Sequence, residues 1–186
     1  MQLVPWAEEL ARDLLASALP QRWAHVQQVA GRAGRFASLL GEDGEFLHAA
    51  AWLHDIGYAP GVAVTRFHPL DGARYLTELG APDRVISLIA HHSASAAEAE
   101  FLGLGAEVRA YDDEQSLVRD LLWYADMTTG PAGQQMSFVR RMTELRERYP
   151  AEHYVIRALD AGMVARRSAV DRAQEWIDRA GVLAHV

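Results

Sequence analysis

Apolar residues recur at three- and four-residue spacing along nearly the whole chain, while alternation with period two is hard to find. A chain patterned in this way hides its apolar surface by packing helices through one-sided stripes. We therefore read an all-α domain, a helical bundle of about seven to nine helices. Half of the 186 residues are hydrophobic, enough for one substantial core, so a single domain over 1–186 suffices. Pro5 suits the first turn of a helix that runs to the late teens, and Pro20 restarts the chain into a second helix, "QRWAHVQQVAGRAGRFASLL". "GEDGE" precedes a third, over 44–56, which Gly57 and "YAPG" break. "GVAVTRF" reads as a loop before "HPLDGARYLTELG", where Pro69 fits the first helical position and His68 the N-cap. Pro82 opens a helix that stops at His91 and His92, and an acid-started helix follows to Asp126. The segments 134–148 and 150–180 read as amphipathic packing helices.

Composition removes whole classes of chemistry. There is no Cys, so there are no disulfides, thiolate metal sites or Cys nucleophile, which fits a cytoplasmic protein. There is no Lys either, and all 18 basic residues are Arg, so a P-loop Lys and a Schiff-base Lys are excluded. No G-x-S-x-G elbow surrounds any of the eight serines, which leaves hydrolysis by metal-activated water as the easier route. A net charge of −7 opposes broad contact with nucleic acid or an anionic membrane and favours a small-molecule ligand. The first fifteen residues lack the basic start and apolar stretch of a signal peptide, and no apolar run approaches the roughly 20 residues of a membrane span.

The polar residues that interrupt the apolar pattern are His25, His54, Asp55, His68, His91, His92 and Asp126, each within a helix or at its end. Imidazole and carboxylate are donors suited to Fe, Mn, Zn, Ni or Co, and helical bundles build such sites from facing helices. Neighbours on a helix point about 100° apart, so His54 and Asp55 cannot share a face, yet both can reach a cation near a helix end. Each could serve one of two metals, or Asp55 could bridge them. Val85, Leu88 and Ile89 mark the apolar face of the helix before the His pair, and His92 lies at i+7, i+4 and i+3 from them. His92 is therefore the expected ligand, and His91 a second ligand or a catalytic contact to substrate. His48, His153 and His185 read as ordinary hydrogen-bonded histidines.

"RWAHVQQV" (His25), "LHDIG" (His54, Asp55), "FHPLDGARYL" (His68), "LIAHHS" (His91, His92) and "WYADMTTG" (Asp126), in that order over roughly 20–130, resemble the HD superfamily of metal-dependent phosphohydrolases. The two middle His motifs make the pattern similar to the dinuclear members. By that resemblance His25, His54, Asp55 and Asp126 hold one divalent metal, Fe or Mn before Zn, Ni or Co, and His68 with His92 completes a second, Asp55 bridging. The "HP..GA", "H.S" and "ADM" stretches are similar to bacterial diadenosine tetraphosphatases of this fold and to the HD-GYP cyclic di-GMP phosphodiesterases, although the GYP extension is missing.

Those relatives commonly place Lys after "HDIG", where it contacts substrate phosphate; Tyr58 stands there instead. Arg32 and Arg66 are the expected substitutes, since Arg grips phosphate bidentately. The expected activity is hydrolysis of a nucleotide or another small phosphate ester. The segment from "HPLDGARYL" to "HHSASAAEA" also looks like the mixed-valent di-iron oxygenases of the same fold, with Arg66, Tyr58 and Tyr124 serving a phosphate or a phosphonate. A third reading is a nucleotide-binding module without turnover, whose 134–180 helices signal to a partner.

Overall fold

A computed structural model describes residues 2–182, and among them the architecture is all-α with no strand beyond an isolated bridge between Thr129 and Gln135. The helices are α1 (Leu3–Leu15), α2 (Pro20–Ala37), α3 (Glu42–Leu53), α4 (His68–Glu78), α5 (Asp83–Ala90), α6 (Ser95–Leu102), α7 (Gly105–Val108), α8 (Leu117–Met127), α9 (Phe138–Glu147), α10 (Tyr154–Ala161) and α11 (Met163–Ala180). Short 3₁₀ turns at Ile56–Tyr58 and His92–Ala94 follow α3 and α5. The bundle thus has more pieces than the sequence pattern gave, because the one-turn α7 is a separate element and the expected 150–180 helix divides at Gly162, the C-cap of α10. His185 lies outside the described residues.

The centre of the bundle is α3. Acids Glu42, Asp43 and Glu45 occupy its first turn, where the positive end of the helix dipole favours them. Leu47, Ala49, Ala50, Ala51 and Leu53 are fully buried, and the three alanines allow the close approach of α1, α2, α5 and α8, all of which pack against it. Truncating Leu47 here would cost about 2–5 kcal/mol. Next to α3 lies α8, buried on every side from Val118 to Met127 and capped by the Ser116 hydroxyl, which accepts from the Arg119 N–H at 3.2 Å. Behind α8 packs α11.

This arrangement gathers His54 at the C-cap of α3, His92 in the 3₁₀ turn that follows α5, and Asp126 in the last turn of α8. A helix C-terminus exposes unpaired carbonyls and a partial negative charge, so three such ends form surroundings that favour a cation. Gly57 makes the remaining junction possible. A Cβ there would lie 2.0 Å from the carbonyl oxygen of His68, so only glycine lets the turn after Asp55 rest against the start of α4. Gly57→Ala is expected to force the two apart and to cost about 1–3 kcal/mol. Thermal unfolding beside metal uptake tests this: a variant with unchanged melting temperature and unchanged metal content would show the contact to be unimportant.

Candidate metal centre

His25 comes from the middle of α2, His54 from the C-cap of α3, Asp55 from the residue after it, His68 from the first position of α4, His92 from the turn after α5, and Asp126 from the last turn of α8. All six converge. The Nε2 of His25 lies 3.2 Å from Asp126 Oδ1 and 3.4 Å from His54 Nε2, and the Nε2 of His68 lies 3.0 Å from that of His92. Asp55 stands between the two groups, its Oδ2 3.4 Å from His54 Nε2 and its Oδ1 3.4 Å from His68 Nε2. Donor atoms of His25, His54 and Asp126 fall within 4.8 Å of one another, as do those of Asp55, His68 and His92. The described residues thus form two adjacent trios that could each hold an ion, with one Asp55 oxygen turned to each.

Backbone carbonyls fix the imidazoles. Nδ1 of His54 faces Ala51 O at 2.9 Å, Nδ1 of His92 faces Ile89 O at 2.6 Å, and Nδ1 of His25 faces Gly130 O at 2.9 Å. A carbonyl only accepts, so each Nδ1 carries the proton and each neutral ring turns an Nε2 lone pair into the cluster. Two of the three carbonyls, those of Ala51 and Ile89, belong to the last turns of their helices, where side chains can reach them. The facing nitrogen pairs, His25 with His54 and His68 with His92, therefore need something positive between them, which a proton or a metal ion can supply. For His68 the proton is disfavoured: burial foremost, then the charges of His92, Arg22 and His54, push its pKa well below the ordinary 6.5, although Asp55 opposes the shift. For His92, burial and His54 likewise lower the value. These residues fit a divalent ion on chemical grounds.

Both carboxylates stay ionised. Burial would raise Asp55, yet the Arg22 guanidinium, whose Nη1 donates to Asp55 Oδ2 at 2.7 Å, and then His54 and His68, hold it well below the usual carboxylate range. Asp126 is also held down, its burial outweighed by the adjacent imidazoles of His25, whose Nε2 lies 3.2 Å from Oδ1, and His54, and the Ser93 hydroxyl donates to its other oxygen. His54 moves the opposite way. Burial opposes its charge, but Asp55 and then Asp126 raise the pKa from 6.5 to about 8. Protonated His54 thus stabilises the metal-free fold fully below about 6.5, and the contribution fades as pH rises through about 8. Since a metal needs that ring neutral, metal affinity is expected to climb from pH 6.5 to about 8 and then level off, with proton release on binding. Calorimetric metal titrations across this range check it, and an affinity independent of pH contradicts it.

The cluster opens into a cavity of about 250 Å³. Arg66 and Tyr58, both expected to contact substrate, are among the residues that line it. Tyr58 stacks flat on His68, ring centroids 4.0 Å apart, which sets the imidazole plane, and Arg22 lies over the phenol ring at 4.1 Å. Arg66 has a left-handed φ of 66°, a strained state for a side chain with a Cβ. Asp71 secures it by accepting from the backbone N–H groups of Val64, Thr65 and Arg66 and from the Thr65 hydroxyl.

Three expectations are corrected. Arg32 lines no part of this cavity; its Nη1 donates to Thr128 O at 2.7 Å and reaches Thr129 Oγ1 at 3.4 Å, holding the loop after α8. His91 points away, its Nε2 2.8 Å from Tyr111 O, and lines no part of the cavity. Tyr124 donates its hydroxyl to Gln174 Oε1 at 2.8 Å, outside the cavity. Of the ordinary histidines, His48 stacks near Trp52, and His153 caps α10 by accepting from the Val155 N–H.

Two features escaped the sequence reading. Arg22, one turn before His25 and on the same helix face, is the cluster's guanidinium. The segments read only as packing helices also supply a wall of the cavity, through Arg141, Leu145 and Arg148 of α9 and its cap and Tyr154, Val155 and Leu159 of α10.

Among the described residues no helix is long and apolar enough to cross a membrane. Comparison with the curated proteins and with the solved structures gave no match. The HD domain family model matches residues 22–129, a span that begins at Arg22 and closes just past Asp126 and so encloses all six converging side chains. On that match, more than half its length, the chain belongs to the HD-domain family, whose members bind divalent metals and are generally metal-dependent phosphohydrolases.

Proposed function

We propose that this chain is a metal-dependent phosphohydrolase that cleaves a nucleotide or another small phosphate ester. The observation that carries the reading is the position of Asp55, one oxygen turned to each of two His-containing trios, under a cavity lined by arginines. His25, His54 and Asp126 would hold one divalent ion and His68 and His92 a second, with Asp55 shared. Such ions, Fe or Mn by the family resemblance and Zn, Ni or Co also compatible with the donors, would supply Lewis acidity that activates water and neutralises charge gathering on phosphoryl oxygens.

The chain's own groups do the rest. Among the described residues Arg22 hydrogen-bonds through Nη1, and it lines the cavity beside Asp55, so its other N–H groups are placed to grip a phosphoryl oxygen in the role first assigned to Arg32. Arg66, held by the Asp71 clasp, offers a second guanidinium. Tyr58 keeps the His68 ring in plane, and Ser93 holds Asp126 in one rotamer. At about 250 Å³ the cavity sits below the usual range for drug-sized ligands, which favours a compact ester over a dinucleotide polyphosphate.

The test is phosphate release from a panel of nucleotides and simple phosphate esters, with added Mn²⁺ or Fe²⁺ and with oxygen uptake followed in parallel. Metal-dependent phosphate release without oxygen uptake is expected. Turnover only with oxygen consumption would instead assign the di-iron oxygenase chemistry, and saturable binding without turnover a binding module.

A further inference from the structure

The face of α9 that borders the cavity repeats Arg141, Leu145 and Arg148 at i, i+4 and i+7. Arg141 is 5% exposed, far from the ordinary state of an arginine. Its Nη1 donates to Glu144 Oε2 at 2.5 Å, while its Nε has no partner among the described residues. Arg148 donates from Nε to the other oxygen of that same Glu144. Two guanidiniums thus share one carboxylate, leaving this wall with an uncompensated positive charge and unused N–H donors.

Arg166, also on the cavity, makes a useful contrast. Its Nε donates to Ser93 O and its Nη1 to Leu159 O, both at 2.9 Å, so it is consumed in tying α11 to the turn that carries Ser93 and to the end of α10. No such backbone role occupies Arg141 or Arg148. Five arginines, Arg22, Arg66, Arg141, Arg148 and Arg166, line the cavity beside three acids, Asp55, Glu98 and Asp126, and even with Glu144 behind the wall the arginines remain in excess, in a chain whose net charge is −7. Positive charge concentrated in one cleft of an acidic protein selects anions there.

We propose that Arg141 and Arg148 form a second oxyanion subsite, so that the substrate carries another phosphate or a carboxylate besides the phosphoryl group at the His/Asp cluster. The substrate half of this inference rests on the phosphohydrolase reading. The subsite itself does not. One molecule bridges both because both border a single cavity. Arginine suits the role through its rigid fork of donors, and Glu144 holds the two forks until an anion replaces part of its contact.

Equilibrium dialysis of the full-length protein with radiolabelled inorganic phosphate tests the subsite, with the protein loaded with Mn²⁺ and after chelation. The chelated chain is expected to keep one saturable phosphate. Arg148→Gln, a change at a side chain one-third exposed and so tolerated by the fold, is expected to weaken that binding roughly ten- to hundredfold. Glu144→Gln, which removes the competing carboxylate, is expected to tighten it. If chelation costs helicity by circular dichroism, the Mn²⁺-loaded protein decides, with two phosphates per wild-type chain and one per Arg148→Gln chain. Competition by acetate identifies the second group as carboxylate, and its failure to compete as phosphate; both uphold the subsite. Unchanged phosphate binding in Arg148→Gln, or loss in Arg22→Gln with Arg148→Gln intact, overturns it. Failure of the phosphohydrolase reading is a separate result: no phosphate released from any ester while the chelated chain still binds the ion.

Discussion

Asp55→Ala is expected to empty both metal positions and to lower kcat by at least about a thousandfold while leaving the helical content intact. The expectation follows from its two oxygens, one 3.4 Å from His54 Nε2 and the other 3.4 Å from His68 Nε2, so that one truncation takes a donor from each trio. It also strips Arg22 of its partner and leaves that guanidinium without its buried counter-charge. Asp55→Asn separates the effects, since it keeps shape and hydrogen bonding but loses the charge that suits a divalent ion. Metal content and single-turnover rates on the two variants check this. A folded Asp55→Ala chain with wild-type metal content and turnover would remove the shared carboxylate from the account.

The second large expectation sets two arginines of the same helix against each other. Arg22→Ala, measured on the metal-loaded protein so that bound cations rather than the guanidinium balance the buried Asp55 charge, is expected to cut kcat/KM for a phosphate ester by about ten- to a hundredfold with a smaller change in stability than Arg32→Ala. Arg32→Ala is expected to do the reverse. Its guanidinium is buried against Thr128 O and Thr129 Oγ1 and faces the Tyr124 ring at 5.4 Å, so removal should cost about 2–3 kcal/mol and spare the kinetics of the folded fraction. Urea unfolding beside steady-state kinetics gives both numbers for each variant. The opposite pattern, a stability defect at Arg22 and a KM defect at Arg32, would return the phosphate contact to Arg32.

Helix geometry explains why the sequence pointed to the wrong one. Arg32 is seven residues after His25 and so lies near the same face, but seven residues rise about 10 Å along the axis, beyond the cluster. Arg22, three residues before His25, is one turn away and within reach. The six converging residues were legible because each interrupts an apolar stripe, and burial of a His or Asp there demands a partner. His92 was separable from His91 by the apolar face of α5, although the helix ends at Ala90 and the ring is aimed by its bond to Ile89 O rather than by helical position. Left-handed φ values at Arg66, Ser93 and Ala94 leave no periodic trace, so the loops that aim Arg66 and Ser93 could not be read. The arginine wall was hidden for a different reason. Amphipathic spacing shows that α9 has a buried face, but the path of the chain between Asp126 and α9 decides that Arg141 and Arg148 meet the His/Asp cavity.

Metal counting on wild type and single-trio variants tests the central claim most directly. After loading with Mn²⁺ or, anaerobically, Fe²⁺ and removal of free ion, the wild type is expected to hold two ions per chain, while His54→Gln and His92→Gln, each losing one ligand from a different trio, are expected to hold one each. A folded wild-type chain that retains no stoichiometric ion, or variants that both keep the full complement, would contradict the claim that these side chains form a two-metal centre.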